Sequence, residues 1–306
     1  MIISIGEILC DLIGWKCDSS MKFNVTIGGA PLNVALNLTN LGTDTYFYGV
    51  VGDDLFGNFI KSELLKYKSL KRLVKFNNDA NTTLAISIKN NSEEDNFQFL
   101  RKNGADFKFD KNELYNLLNL SPKIIHFGSL FLSDYECYLL MLEYVKDIKE
   151  KNVLCSFDVN YRDDIFNNKH EAKKRYLEFI NEMDIVKFSE KEIKYLAGKE
   201  NLDEAIKYFS FLKVFFITLG SKGSICAYKN QTYFLPSEPS VKVVDSIGAG
   251  DSFYSGVLHQ LENKDINSLS KDDILNALLL GNRCGAKTVS QVGATGAYKS
   301  IEDVME

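Results

Sequence analysis

An α/β fold, with a central mostly parallel sheet, helices on both faces and a small β-sheet lid, is what this 306-residue chain predicts, and three observations carry that reading. Short apolar runs alternate with helix-period segments along most of the length, the pattern of repeated strand–helix units. A hydrophobic content of 45% with 25% charged residues suits one large core, with no Pro/Gly/Ser-rich linker to divide it. Two stretches, at about 8–28 and 82–102, break the rhythm with alternating side chains and predict a separate small sheet. The whole of 1–306 is therefore read as a single domain with two lid segments.

The elements follow in order. Ile2 to Ile5 and Tyr46 to Val51 are apolar enough for buried parallel strands, and Leu32 to Leu41 between them places Val34, Leu38 and Leu41 on one helical face. Residues 83–88 and 96–100 alternate around a polar turn at Asn90 to Asp95. Ile124 to Phe127, a helix over Tyr138 to Lys149, then Val153 to Phe157, Ile185 to Phe188 and Val214 to Leu219 continue the parallel series, with right-handed crossovers. Ser224 to Phe234, turning at Lys229-Asn230-Gln231, predicts an antiparallel edge hairpin, and Val241 to Val244 a last strand before the C-terminal helices.

Composition excludes several functions. The net charge of −5 is interspersed, leaving no basic stripe for nucleic acid or an anionic membrane. The six cysteines form no C-x-x-C pair, so they read as reduced, mostly buried thiols. Three histidines without metal-ligand spacing speak against a histidine-dependent hydrolase. The first twenty residues lack a basic start and a long apolar run, which predicts no signal peptide or membrane span and a cytoplasmic protein. Gly285-Ala286-Lys287-Thr288 looks like a phosphate loop but lacks its glycine before Lys287 and a leading strand.

Three stretches carry chemistry. In Val243 to Gly256, Gly248 and Gly250 allow successive amides to converge beside the positive end of a helix, a setting for an anion. Asp251 at that helix start can accept a proton from a hydroxyl beside the amides; read alone, it is equally an N-cap on a plain turn. Gly28-Gly29-Ala30-Pro31-Leu32-Asn33 lets backbone approach a ligand and starts a helix at Pro31, with Asn33 directed near the same place. Phe157 to Arg162 ends an apolar strand, and alternation sends Asp158, Asn160 and Arg162 to one side. Sugar hydroxyls both donate and accept, so such a mixture suits a polyol, with Asp11 and Arg101 joining from the lid.

With those motifs in place, the chain resembles the ribokinase-like (PfkB-type) carbohydrate kinases over essentially its whole length, fructokinases in particular. The likeness rests on Gly6 to Asp11, Gly28 to Ala35, Gly49 to Gly57 and Val244 to Phe253. It implies a ribokinase-like three-layer fold, Asp251 as catalytic base, and Gly248, Ala249 and Gly250 as the anion hole. It implies sugar binding through Asp11, Gly28, Gly29 and Asn33, with Arg101, Asn160 and Arg162 in fructokinase-like members; Gly104-Ala105-Asp106 fits that group too. Nucleotide contacts are implied for Thr218, Gly220, Lys222 and Gly223 and for the helix holding Asn282 and Ala286. Magnesium is implied through Glu192 indirectly, in an Asn-x-x-Glu motif whose Asn is Ser189 here, and potassium at the backbone of Asp245 and Ile247.

The resulting expectation is an ATP-dependent kinase acting on a primary hydroxyl of a hexose, D-fructose to fructose 6-phosphate, with 2-keto-3-deoxygluconate, ribose or a nucleoside as alternative acceptors. A non-catalytic sugar sensor would be expected to lack the base or the glycines, and a dinucleotide oxidoreductase would need a G-x-G-x-x-G turn after the first strand. A homodimer through the lid is the expected assembly.

Overall fold

The computed structural model describes residues 1–17, 20–88, 96–238 and 242–306, and for Cys17, Asn96 and Phe97 the backbone alone. The chain opens with β1 (Ile2–Ile5), then β2 (Leu9–Cys17) and β3 (Ser20–Gly28), α1 (Ala30–Asn40), β4 (Thr45–Gly52), α2 (Leu55–Leu64) and β5 (Lys71–Asn77). It continues with β6 (Leu84–Ile88), β7 (Asn96–Leu100), α3 (Lys111–Leu118), β8 (Ile124–Phe127), α4 (Tyr135–Glu150), β9 (Leu154–Asp158), α5 (Lys169–Asn181), β10 (Ile185–Ser189) and α6 (Glu190–Ala197). The last elements are α7 (Leu202–Tyr208), β11 (Val214–Thr218), β12 (Ser224–Tyr228), β13 (Gln231–Leu235), α8 (Ala249–Leu261), α9 (Lys271–Val289) and α10 (Ile301–Met305).

A nine-stranded sheet runs in the order β13-β12-β11-β10-β9-β8-β1-β4-β5. The strands from β11 to β5 are parallel, and β12 and β13 close one edge as the antiparallel hairpin expected. Helices fill two apolar layers, one around Phe127, Phe157, Phe179 and Tyr144 and the other around Phe253, Tyr254, Leu258 and Ile274. Chain order reverses between β1 and β8, so the crevice outside their carboxyl ends is the topological switch point where open α/β sheets take ligands. Ser4 Oγ donates to the Pro31 carbonyl at 2.7 Å and pins the start of α1 over that crevice.

The second sheet has the order β3-β2-β6-β7, with β2 and β6 parallel and the outer pairs antiparallel. It coincides with the two stretches that broke the strand–helix rhythm; the turn expected at Asn90 to Asp95 lies outside the described residues. Among the described residues no helix is long and apolar enough to cross a membrane. Cys10, Cys137, Cys155, Cys226 and Cys284 are buried free thiols.

One expectation needs correction, and one strand was not anticipated. Of the strand expected over Val241 to Val244, Val241 lies outside the described residues and 242–244 form no strand; Val243 and Val244 are 65% and 50% exposed, and the Val244 amide donates to the Val289 carbonyl at the end of α9. Here a helix end, not a sheet edge, supplies the acceptor, which overrides the β preference of valine. Conversely β5 escaped the sequence reading, because Lys71, Arg72 and Lys75 interrupt its apolar residues on a half-covered edge.

Candidate active site

The cavity at the switch point has a volume of about 680 Å³. Its wall takes Glu7 after β1, Gly29, Ala30 and Asn33 at the start of α1, Asn160 and Arg162 after β9, and Lys187 on β10. Gly248, Gly250 and Asp251 supply one end, and Asp11, Ile13, Ala85 and Ser87, alternate residues of β2 and β6, face in from the small sheet. A larger cavity of about 850 Å³ lies among Lys123, Lys149, Lys213 and Asp265 and contains none of the sequence motifs.

Gly248 caps α8 at φ +75°, and a Cβ there would lie 2.3 Å from the Ala294 Cβ, so conformation and space both require glycine. A helix start leaves its first amides without intrahelical acceptors, so the turn from Gly248 presents donors and a positive dipole end to the cavity. Asp251 stands in that first turn. Its Oδ2 accepts from Asn33 Nδ2 at 2.8 Å, a contact between two helices that sequence motifs alone could only suggest. Burial raises the Asp251 carboxyl above its ordinary value, opposed by the Asn33 hydrogen bond and the cations Lys187 and Arg162.

Asp11 sits across from it, and burial, with the charge of Asp251, pushes its carboxyl up to about 7. A Cβ on Gly28 would meet Asp11 Oδ2 at 2.0 Å, and one on Gly29, at φ +115°, would meet the Glu7 carbonyl at 2.3 Å. The paired glycines are thus required by packing around Asp11 and Glu7. Ser129 Oγ donates to the Asn160 carbonyl at 3.1 Å, and Asn160 adopts φ +33°. The Arg162 amide donates to Tyr176 Oη at 3.2 Å.

Two of the residues expected here are not on the cavity wall. Strand alternation ends with β9 at Asp158, which is buried against Lys187 instead of converging with Asn160 and Arg162. Arg101 does not line the cavity: its guanidinium pairs with Asp106, with Nε 2.8 Å from Oδ2, donates to Ser133 Oγ and lies over Phe107. It borders a neighbouring cavity, of about 490 Å³, with Gln98 and Ser133. A buried carboxylate at Asp106 outcompetes an open pocket for that cation.

Thr218, Gly220, Lys222 and Gly223 end β11 and form the turn beyond it, outside this cavity. Thr218 Oγ1 donates to the Phe188 carbonyl at 3.4 Å. Asn282 on α9 is buried, donating to the Leu235 and Pro236 carbonyls and accepting from Ser224 Oγ, so its side chain ties α9 to the edge hairpin. Ala286 borders a small cavity of about 270 Å³ with Arg283 and Lys287.

Ser189 caps α6 in a capping box: Glu192 Oε2 accepts from the Ser189 amide at 2.6 Å, and Ser189 Oγ accepts from the Glu192 amide. A serine serves that cap as well as an asparagine would. Glu192 Oε1 accepts from the Tyr161 amide at 2.9 Å, which makes a direct metal bond compete with two backbone donors. Asp245 Oδ1 and Oδ2 accept from the amides of Ile247 and Gly293, leaving backbone carbonyls as the oxygens of that loop for a cation. No group of three acidic, histidine or cysteine side chains able to hold a metal occurs among the described residues.

The sequence reading missed Lys187. Its Nζ lies 3.0 and 3.1 Å from the two oxygens of Asp158, and a Cβ on Gly250 would meet it at 2.8 Å. The available signal was a lysine inside the apolar run Ile185 to Phe188.

A ribokinase-like α/β fold with a glycine-lined helix end at its switch point defines the class. The chain belongs to the pfkB family of carbohydrate kinases, whose family model matches residues 1–301. It is 32% identical to probable fructokinase-2 of Arabidopsis thaliana over 306 residues, covering 97% of this chain and 92% of the relative. Among solved structures it is similar to a double-mutant fructokinase from Vibrio cholerae O395 with fructose, ADP and potassium ion bound, at TM-score 0.87 and 26% identity, covering 99% and 96% of the two chains. It is also similar to aminoimidazole riboside kinase from Salmonella enterica complexed with aminoimidazole riboside and an ATP analog, at TM-score 0.83 and 25% identity, covering 99% and 98%.

Proposed function

We propose that this chain is an ATP-dependent sugar kinase that converts D-fructose to fructose 6-phosphate. The observation that carries the reading is one carboxylate, Asp251, held by Asn33 at the amide-lined start of α8, in the same cavity as Asp11, Asn160 and Arg162. Asp251 takes the proton of the primary hydroxyl, that oxygen bonds to the γ-phosphorus, and the bond to the bridging oxygen breaks so that ADP leaves. Gly248, Ala249 and Gly250 hold the charge on the phosphoryl oxygens. Asp11, Asn33, Asn160 and Arg162 orient the sugar, and Gly28 and Gly29 keep the backbone close. The small sheet acts as the lid that excludes water from the transfer.

The nucleotide is assigned to the turn holding Thr218, Gly220, Lys222 and Gly223 and to the α9 surface at Ala286, with Asn282 bracing that wall through its bonds to β13. Magnesium binds chiefly through phosphates and water, and Glu192 would act on it through water. When bound, magnesium neutralises charge between the phosphates. The carbonyls of Asp245 and Ile247 would hold potassium. Fructose is supported by the Arabidopsis and Vibrio relatives; the likeness to the Salmonella riboside kinase favours a second reading, a ribosyl primary hydroxyl. A homodimer through the outer face of the lid is proposed as the assembly.

The test is ADP release with ATP and magnesium across fructose, ribose, 2-keto-3-deoxygluconate and nucleosides, beside Asp251→Asn. Fructose turnover that falls about 10²- to 10⁴-fold in the variant is expected. A variant with wild-type turnover removes Asp251 from its role, and turnover only with another acceptor replaces fructose. Sugar binding without any turnover brings forward the sensor.

A further inference from the structure

Beneath the anion-binding turn lies a buried ion pair that the transfer described above does not use. Asp158, at the end of β9, is 1% exposed, and the Lys187 side chain is 8% exposed on the neighbouring strand β10. Lys187 divides its ammonium almost equally between both carboxylate oxygens and stands directly against Gly250. A charge placed there, at the centre of a parallel sheet, carries a heavy desolvation penalty, and a purely structural pair is readily replaced by apolar residues. Yet this lysine borders the cavity beside Asp251, which argues for a use of its charge in the site.

We propose that Lys187 is a positioning residue for phosphoryl transfer: paired to Asp158, it supplies the buried positive charge on which both the Gly250 turn and the Asp251 carboxylate rest. A Cβ on Gly250 would lie 2.8 Å from the ammonium, so the lysine head and the turn are in direct contact. Burial works against the ammonium, but Asp158, Glu192 and Asp251 outweigh it and keep Lys187 charged. Around Asp251 the facing groups are Asn33 from α1, Asp11 from β2, Asp158 from β9, Arg162 beyond it and Lys187 from β10. Lys187 is the cation among them that lies under the turn itself. The inference deepens the kinase reading and rests on it.

The full-length chain is compared as wild type, Lys187→Met and Lys187→Met/Asp158→Asn, the last removing both buried charges should the single variant fail to fold. With fructose and magnesium ATP, kcat is expected to fall about 10²- to 10³-fold in both variants while the sugar KM stays within about threefold. In Lys187→Met the acidic limb of the kcat/KM profile moves to higher pH, by about one unit or more, which a merely structural role would not produce. Carbon-13 titration of labelled aspartates, with Asp251 assigned from the Asp251→Asn spectrum, reads the same shift without turnover. A folded double variant with kcat within about threefold of wild type, or an Asp251 midpoint unmoved in Lys187→Met, overturns the role of Lys187. Wild type inactive on every acceptor overturns the kinase reading instead, and the titration still decides the fate of Lys187.

Discussion

Carboxylates crowd the switch point, and their burial makes them sensitive to pH. Asp251 must be ionised to accept a proton, and its pKa is raised above 3.8, so turnover should decline on acidification with a limb above the ordinary carboxylate range. A pH profile of kcat/KM, which reports the free enzyme, with its acidic midpoint at or below that value would reject Asp251 as the base. Glu7 makes a separate case, since its Oε2 is buried without a hydrogen-bond partner and burial raises its pKa from 4.5 to about 7. The folded carboxyl therefore keeps its proton where the unfolded one loses it. Its contribution is full below pH 4.5 and disappears as pH rises through about 7, a penalty on the order of 3 kcal/mol. Glu7→Gln should match wild type in thermal melts at pH 4 and exceed it at pH 8. Parallel melting temperatures across that range would refute the account.

The start of α8 links fold to chemistry at the scale of one element. Gly248→Ala places a side chain in the left-handed region and within 2.3 Å of Ala294, so a stability loss of about 1–3 kcal/mol is expected together with a large fall in kcat. Gly42→Ala is the control, because Gly42 also has positive φ, at +86°, but nothing within 4 Å. It should cost stability through backbone strain alone and leave kcat unchanged. Equal kinetic losses in both variants, measured by ADP release beside denaturant melts, would mean that strain and not the geometry of the turn governs activity. Behind the turn, Gly256 packs so closely on Gly281 of α9 that a Cβ would meet its Cα at 2.9 Å. That contact sets α8 against α9 and so aims the amides of its first turn.

For the whole molecule, the strand order puts Glu7 and Asn33 on one side of the crevice and Asn160, Arg162 and Lys187 on the other, while the small sheet brings Asp11 over the top. The outer face of that sheet keeps Met21, Phe23 and Leu100 at 48%, 40% and 48% exposure, an apolar surface suited to a second copy. Light scattering should give twice the chain mass of 34.6 kDa, and Phe23→Glu should shift the protein toward monomer. A wild-type monomer at working concentration would rule the dimer out.

The parallel series apart from β5, and its edge hairpin, were legible in the residues alone, because buried strands read as continuous apolar runs; the glycine turns were legible too, because positive φ and close approach admit few other residues. The helix starts expected at Pro31 and Asp251 came from the same local chemistry and lie within two residues of the observed starts at Ala30 and Ala249. Which polar groups meet is settled by folding. Asn33 reaches Asp251 across 218 residues, Arg101 turns to Asp106 instead of the cavity, and Asp158 faces Lys187 because β9 and β10 pair with these two residues in register. Residues 242–244 left the sheet for the end of α9 by the same logic. Local propensity is written in neighbouring residues, whereas the partner of a buried charge is chosen by whichever opposite charge the folded chain brings within hydrogen-bonding distance.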